Sequence, residues 1–149
     1  MHLTRESEYA LKALAFLAVQ PALSVITQAE IAEATGLPGA FLAKILHKLT
    51  RSGLLVATRG PGNGYVLARP PGSITLREVL ESVEGAQVFQ HCWLWQGRCG
   101  DVDPCPLHDY LKAVLPPLAS VFDEITLERF AERAGDLDVA IPRASGGGS

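Results

Sequence analysis

Residues 27–68 read TQAEIAEATGLPGAFLAKILHKLTRSGLLVATRGPGNGYVLA, and the order of elements in this stretch decides the fold. Thr27 and Glu30 have the spacing of a capping box, in which two side chains satisfy free backbone N–H groups at a helix start. Gly36 ends this short helix, and Pro38 is expected at the first position of the next one, where its missing N–H costs nothing. Two short helices joined by a tight turn predict a helix-turn-helix, whose second helix enters the major groove of DNA.

The second of these helices is amphipathic. Its buried stripe is expected to consist of Leu42, Ile45, Leu46 and Leu49. Its outward face is expected to carry Gly39, Ala40, Ala43, Lys44, His47, Lys48 and Arg51. Gln28, at the start of the preceding helix, is a further candidate DNA contact. The helical pattern alone is equally compatible with an αα-hairpin that has an ordinary solvated basic face.

A hairpin follows these helices. Two β-prone runs, 54–58 and 64–68, flank the turn-forming sequence RGPGN of residues 59–63. Three helices and then a hairpin are the order of a winged helix, with Arg59 at the tip of the wing. A guanidinium at this place can enter a narrow, strongly negative minor groove, although it is also an ordinary solvated loop charge.

The elements on either side complete a mainly α fold, a winged helix-turn-helix with a two-stranded wing and a long C-terminal dimerisation helix. Apolar residues spaced by three and four predict a first helix over residues 5–19, and a second capping box at Thr75 and Glu78 opens a helix that closes near Gly85. The predicted units are a DNA-binding domain (1–70), a region with a cluster-binding loop and dimerisation helices (71–134), and a flexible tail (135–149).

The dimerisation helix is predicted from an apolar repeat in the C-terminal part of the sequence. Its 3.5-residue period is typical of a coiled-coil seam and favours a homodimer. The seam residues are Leu107, Leu111, Val114, Leu118, Val121 and Ile125. Pro116 and Pro117 lie inside the pattern and predict a kink or two shorter helices, and Thr126 caps a last short helix.

All three cysteines lie between these regions, in the sequence CWLWQGRCGDVDPCPLH of residues 92–108. The spacing C-x6-C-x5-C-x2-H brings three thiols and the imidazole of His108 into one loop rich in Gly, Asp and Pro. Thiolates suit zinc, copper(I) or iron–sulfur clusters, and an imidazole can complete a four-ligand set. A structural zinc site and a metal-free thiol switch remain open as alternatives.

Composition and charge narrow the function further. Residues 1–70 carry seven Lys or Arg against four Asp or Glu, a net of +3, whereas residues 71–149 carry six against twelve, a net of −6. A basic front and an acidic back suit a nucleic-acid reader joined to a regulatory part. No run has the length of a membrane span or the order of a secretion signal, so we expect a cytoplasmic protein with reduced thiols and no membrane partner. Phosphate-loop, dinucleotide and G-x-S-x-G motifs are absent, which argues against an enzyme.

These residues resemble, across nearly the whole chain, the bacterial winged-helix regulators that include IscR, NsrR, RirA and the cluster-free CymR. The matching stretches are MHLTRESEYALKAL, GLPGAFLAKILHKLTRSGLL, RGPGNGYVL, ITLREVLESVEG, the three spaced cysteines and ITLERF. The resemblance implies a homodimer that binds a palindromic operator in double-stranded DNA. It also implies that the state of an iron–sulfur cluster, of the 2Fe-2S or 4Fe-4S type, changes the DNA affinity.

The resemblance also assigns roles to single residues. It implies three cluster ligands, Cys92, Cys99 and Cys105. The fourth matches either His108 or a carboxylate at the position of Glu8, contributed by the other subunit, and we favour His108 because C-P-L-H keeps it within reach of Cys105.

On the DNA side, Ala40, Ala43 and Lys44 stand at base-reading positions of the family, and Arg59 stands at its minor-groove position. His47, Lys48 and Arg51 are predicted phosphate contacts. The small residues Gly39, Ala40 and Ala43 depart from the more polar reading helices of the family, which favours a contribution from DNA shape.

Overall fold

The computed structural model describes residues 3–90 and 104–136, and these form six α-helices and one two-stranded sheet. The first helix, α1, spans Arg5–Ala18, and the helix-turn-helix pair consists of α2 (Gln28–Thr35) and α3 (Gly39–Arg51). The wing consists of the antiparallel strands β1 (Leu55–Thr58) and β2 (Gly64–Leu67). After a short 3-10 turn follow α4 (Leu76–Glu84), α5 (His108–Glu124) and α6 (Leu127–Asp136). The winged helix-turn-helix predicted from the sequence is therefore confirmed.

Both predicted capping boxes are present. In each one the threonine hydroxyl accepts from the backbone N–H of a glutamate three residues later, and the glutamate carboxylate accepts from the threonine backbone N–H. Gly36 ends α2 with φ +68°, a left-handed conformation that favours glycine. Pro38 is the N-cap residue of α3 and does not occupy its first turn as predicted, because its ψ of 130° is still extended.

One apolar core joins α1, α2, α3 and the wing to the elements that follow residue 70. Its members after the wing are Ile74, Val79, Val83, Leu127, Ala131 and Ala134. Two reciprocal backbone hydrogen bonds hold the starts of α4 and α6 together, from the N–H of Leu76 to Ile125 and from the N–H of Leu127 to Ile74. The last helix therefore packs on the winged-helix half of the chain.

The long helix α5 packs on α4 through a separate apolar cluster formed by Leu80, Val88, Phe89 and Ala119. It runs unbroken through Pro116 and Pro117, so the predicted alternative of two shorter helices is wrong, while the alternative of a kink stays a prediction. Both prolines are exposed, and so are residues 112 and 113, whose carbonyls would otherwise accept the two missing hydrogen bonds. Water can solvate that side of the helix, which lowers the cost of the prolines. The predicted tail beyond residue 136 lies outside the described residues.

Candidate DNA interface and cysteine site

The outward face of α3 is a stripe of exposed side chains that lies opposite its buried leucines and isoleucine. Ala40, Lys44, His47 and Arg51 recur at spacings of four, three and four, and all four are exposed. Two of them carry a fixed positive charge, and the stripe lies on the helix that a helix-turn-helix presents to the major groove. The structure therefore brings these four predicted contacts together on one surface.

Gln28 lies on α2 and is not part of the stripe on α3. Its side-chain amide Nε2 donates to the carbonyl of Gly39, 3.2 Å away, at the first residue of α3. This bond joins the two helices of the motif across their turn. Gln28 thus fixes the entry of α3, and its role as a DNA contact remains a prediction.

Two lysines of α3 share one carboxylate of α1. The ammonium Nζ of Lys44 lies 3.0 Å from Oε1 of Glu6, and that of Lys48 is hydrogen bonded to Oε2 of the same side chain. Hydrogen bonds from Lys48 and Lys44 hold the pKa of Glu6 below its ordinary value. Lys48 also lies 3.5 Å from the carbonyl of Val83 at the end of α4, so it faces the protein more than the outward stripe does.

The wing places Arg59 at an exposed tip. Gly60 and Gly62, the two glycines beside it, have φ of +94° and +76°, so this turn needs residues without a Cβ. The strand β2 continues its pairing to Ile26, with hydrogen bonds of 3.0 Å and 2.8 Å between the backbones of Ile26 and Tyr65. A Cβ at Gly64 would lie 2.5 Å from the carbonyl oxygen of Ile26, so glycine permits this close approach. The wing is therefore fixed against the segment that leads into α2.

Two residues near the stripe escaped sequence reasoning. Phe41 of α3 is 53% exposed although it is aromatic, and its ring meets that of Tyr9 edge to face with centroids 6.3 Å apart. The sequence does not single out Glu6, because an acid in the first turn of a helix is usually explained by the helix dipole. A charged residue on α1 that faces two lysines of α3 has no local sequence signal.

The cysteine site is partly described. Cys105 and His108 are both buried, and the backbone N–H of His108 donates to the carbonyl of Cys105 over 2.9 Å where α5 begins. This turn places a thiol and an imidazole three residues apart; a thiolate is a soft ligand, and an imidazole is a nitrogen ligand that suits zinc, copper and iron. Cys92 and Cys99 lie outside the described residues. Within residues 3–90 and 104–136, no three His, Cys, Asp or Glu side chains come together as a metal site.

Glu8 lies on the exposed side of α1. Its carboxylate is 2.7 Å from the ammonium of Lys12, one turn later, and the hydrogen bond from Lys12 lowers the pKa of Glu8. Glu8 is therefore ionised at neutral pH, as a metal ligand must be. To bind a metal, Glu8 would first have to break its ion pair with Lys12.

Comparison with known proteins agrees with this architecture. A family model for Rrf2, described as an iron-dependent transcriptional regulator, matches residues 3–133. The chain belongs to the Rrf2 family. The HTH-type transcriptional regulator IscR of Salmonella newport is 30% identical over 153 residues, which cover 98% of this chain and 93% of that protein.

Solved structures of Rrf2 regulators share the fold. IscR of T. potens superposes with a TM-score of 0.72 at 24% identity, covering 94% of this chain and 93% of that one. CymR, the global cysteine regulator of B. subtilis, superposes with a TM-score of 0.73 at 22% identity, covering 89% and 98%. The Rrf2 assignment makes this chain a transcriptional regulator and not an enzyme. None of the helices among the described residues is long and apolar enough to cross a membrane.

Proposed function

We propose that this Rrf2 regulator binds a palindromic operator with an affinity set by an iron–sulfur cluster, and that it acts in the cytoplasm. The observation that carries the proposal is the buried pair of Cys105 and His108 at the start of α5. Buried cysteine and histidine on one turn fit a cluster, because a thiolate and an imidazole coordinate iron while an apolar surrounding limits solvent access. Cys92 and Cys99 would supply the two further thiolates.

The fourth ligand we propose is His108. It is already buried beside Cys105, and Leu111 and Leu115 pack around that thiol. Glu8 is exposed and paired with Lys12, so Glu8 of the partner subunit would have to leave an ion pair before it could bind. When bound, the cluster would act as the sensing group, because its assembly and loss depend on iron, sulfide and oxidants.

The second element of the proposal is a homodimer formed through α5. This helix buries one apolar face against its own chain and exposes a second apolar stripe. The stripe consists of the N-cap residue Leu107 followed by Tyr110, Val114 and Val121. Leu111 belongs to the buried face, so its place in the predicted seam is wrong, while Tyr110, 73% exposed, belongs to the stripe. A second copy of α5 is the occupant that suits a stripe of this length and spacing.

The contacts of α4 support a coupling between the cysteine segment and the reading helix. These contacts run from α5 through α4 to α1. On the α5 side, Leu80 of α4 packs against Ala119 of α5. On the α1 side, Glu84 at the end of α4 accepts hydrogen bonds from Ser7 and Thr4 at the start of α1. A shift of α5 on cluster loss would therefore move α4 and α1. Half-sites on DNA are about 34 Å apart, so a small rotation of the two winged units would misplace both reading helices.

On DNA, we propose that α3 lies in the major groove and that Arg59 enters the minor groove. Lys44 is the candidate for a guanine edge, and Ala40 leaves room for a thymine methyl group. His47 and Arg51 are the candidates for phosphate contacts, which give affinity without sequence information. Sequence preference would then depend strongly on DNA shape at the wing.

Anaerobic purification tests the cluster. The absorption spectrum, iron and acid-labile sulfide are measured on one sample of the wild-type protein and of three variants. We expect a brown protein with near-equal iron and sulfide, loss of both in Cys105→Ser, a reduced content in His108→Asn, and no change in Glu8→Gln. His47→Asn is the matched control, because it replaces an exposed histidine of α3 in the same way.

Each alternative gives a different result. A colourless protein with one zinc per chain would replace the cluster by a structural site. A protein without metal even after anaerobic reconstitution, whose DNA affinity responds to oxidant, would indicate a thiol switch. A cluster lost in Glu8→Gln and retained in His108→Asn would transfer the fourth ligand to the partner's Glu8.

A further inference from the structure

The first turn of α1 carries an acidic side chain that faces the reading helix. Glu6 bonds Lys44 through one carboxylate oxygen and Lys48 through the other. The Lys44 side chain is 63% exposed, whereas those of Lys48 and Glu6 are 34% and 23% exposed. One carboxylate therefore pairs with two of the three Lys and Arg residues of α3, the third being Arg51, and its single charge compensates one of their two positive charges.

A carboxylate and a DNA phosphate compete for the same groups. Both are anions that accept hydrogen bonds, and a lysine ammonium is a compact point charge that pairs with either. An ammonium paired with Glu6 releases fewer counterions when DNA arrives, because its charge is already compensated within the protein. The free energy of DNA binding then includes the cost of breaking the internal pairs.

We infer that Glu6 is an internal competitor for DNA phosphate, which withholds Lys44 and Lys48 from DNA and so sets the affinity and the salt dependence of binding. The inference rests on the proposed function only through DNA binding and is independent of the cluster. It assigns to α1, which is not part of the helix-turn-helix pair, a direct electrostatic effect on the reading helix.

The position of Glu6 is controlled by its neighbours in the same turn. Thr4 and Ser7 donate hydrogen bonds to Glu84 at the end of α4, with distances of 2.6 Å and 2.5 Å from their hydroxyl oxygens to Oε1. Lys48 lies 3.5 Å from the carbonyl of Val83, the residue before Glu84. The competing carboxylate, the two lysines and the end of α4 thus form one connected group. A movement of α4 would tighten or loosen the pairs and change the number of lysines available to DNA.

The test measures DNA binding of the full-length protein as a function of salt. Fluorescence anisotropy with a synthetic duplex of mixed sequence gives the dissociation constant of the wild type and of Glu6→Gln at several salt concentrations. Each new phosphate contact adds about 0.9 to the slope of log K against log[salt]. We expect Glu6→Gln to bind at least about three-fold more tightly at low salt. The slope should be steeper by about 0.9 if Lys44 contacts a guanine edge and only Lys48 gains a phosphate, and by about 1.8 if both lysines contact phosphates.

The same substitution in a Lys44→Met, Lys48→Met background separates competition from simple repulsion between Glu6 and DNA. Competition predicts no effect of Glu6→Gln once the lysines are gone, whereas a gain that persists there would overturn the inference. Glu33→Gln, which removes an exposed charge from α2, is the matched control and should leave the slope unchanged. Weaker binding by Glu6→Gln would also overturn the inference, because Glu6 would then position the lysines for DNA. Failure of the wild type and every variant to bind any duplex would refute DNA binding itself.

Discussion

Replacing Glu84 by alanine should destabilise the protein through the junction between α1 and α4. One carboxylate oxygen, Oε1, accepts hydrogen bonds from the hydroxyl of Ser7 at 2.5 Å, the hydroxyl of Thr4 at 2.6 Å and the backbone N–H of Thr4 at 2.9 Å. Ser7 is fully buried, so its hydroxyl would lose its charged acceptor without gaining water. The negative charge also lies at the N-terminus of α1, where the helix dipole favours it.

The magnitude follows from the burial of these partners. A hydrogen bond to a charged group contributes about 1.5–3 kcal/mol, and the bond to Ser7 should count in full. The bonds to Thr4 should add little, because Thr4 is exposed and water can replace the carboxylate. We therefore expect the free energy of unfolding to fall by about 2–3 kcal/mol in Glu84→Ala. With a urea m-value of about 2 kcal/mol/M, the midpoint should fall by about 1–1.5 M.

The dependence on pH gives a second readout. Burial acts to raise the pKa of Glu84, but the hydrogen bonds from Ser7 and Thr4 outweigh burial and lower the pKa below its ordinary 4.5. A carboxyl group with a lowered pKa in the folded state stabilises the protein above the pKa of the unfolded state. This stabilisation disappears as the pH falls through the folded pKa. The difference between wild type and Glu84→Ala should therefore be constant above about pH 5 and shrink below it.

Urea unfolding followed by circular dichroism at one protein concentration measures both effects, since association would otherwise shift the apparent stability. Glu33→Ala, an exposed carboxylate of α2, is the matched control and should stay within about 0.5 kcal/mol of the wild type. A Glu84→Ala variant as stable as this control would refute the reasoning. So would a difference that does not shrink in acid, because the hydrogen bonds would then not depend on the charged carboxylate.

Three further predictions concern the wing and α5. Gly64→Ala should lower the free energy of unfolding in urea by about 1–3 kcal/mol, because its Cβ would lie 2.5 Å from the backbone oxygen of Ile26. An unchanged urea midpoint would contradict this. Arg59→Ala should keep that midpoint but weaken DNA binding and reduce its salt slope by about 1 in fluorescence anisotropy, and an unchanged slope would exclude a phosphate contact. Val114→Glu should yield monomers in light scattering if the exposed stripe of α5 pairs with a second copy, while persistent dimers would place the interface elsewhere.

Much of the fold could be read from the sequence because its signals are local. A capping box needs two residues three positions apart, and both boxes, at Thr27 and at Thr75, occur where they were predicted. The wing was predictable because the turn between its strands needs the glycines that the sequence supplies. The buried stripe of α3 follows in the same way from the helical period.

The seam of α5 marks the limit of such patterns. Apolar residues cover two adjacent faces of this helix, and the 3.5-residue period does not distinguish the face that packs on α4 from the face left exposed. Only the folded chain shows that Leu111 is buried with Cys105 and Leu115 and that Tyr110 is exposed. The same applies to the prolines of α5, whose cost depends on whether water reaches the carbonyls one turn earlier.

The sequence by itself determined the identity and order of the elements, because capping, turn chemistry and amphipathic period act over a few neighbouring residues. Only the tertiary structure decided which charges meet. Glu6 and Lys48 are 42 positions apart, and Thr4 and Glu84 are 80 positions apart, so no spacing rule connects them. These contacts exist because α1 packs against both α3 and α4 in one shared core. The electrostatics of the reading helix are therefore a property of the fold and not of the motif that contains it.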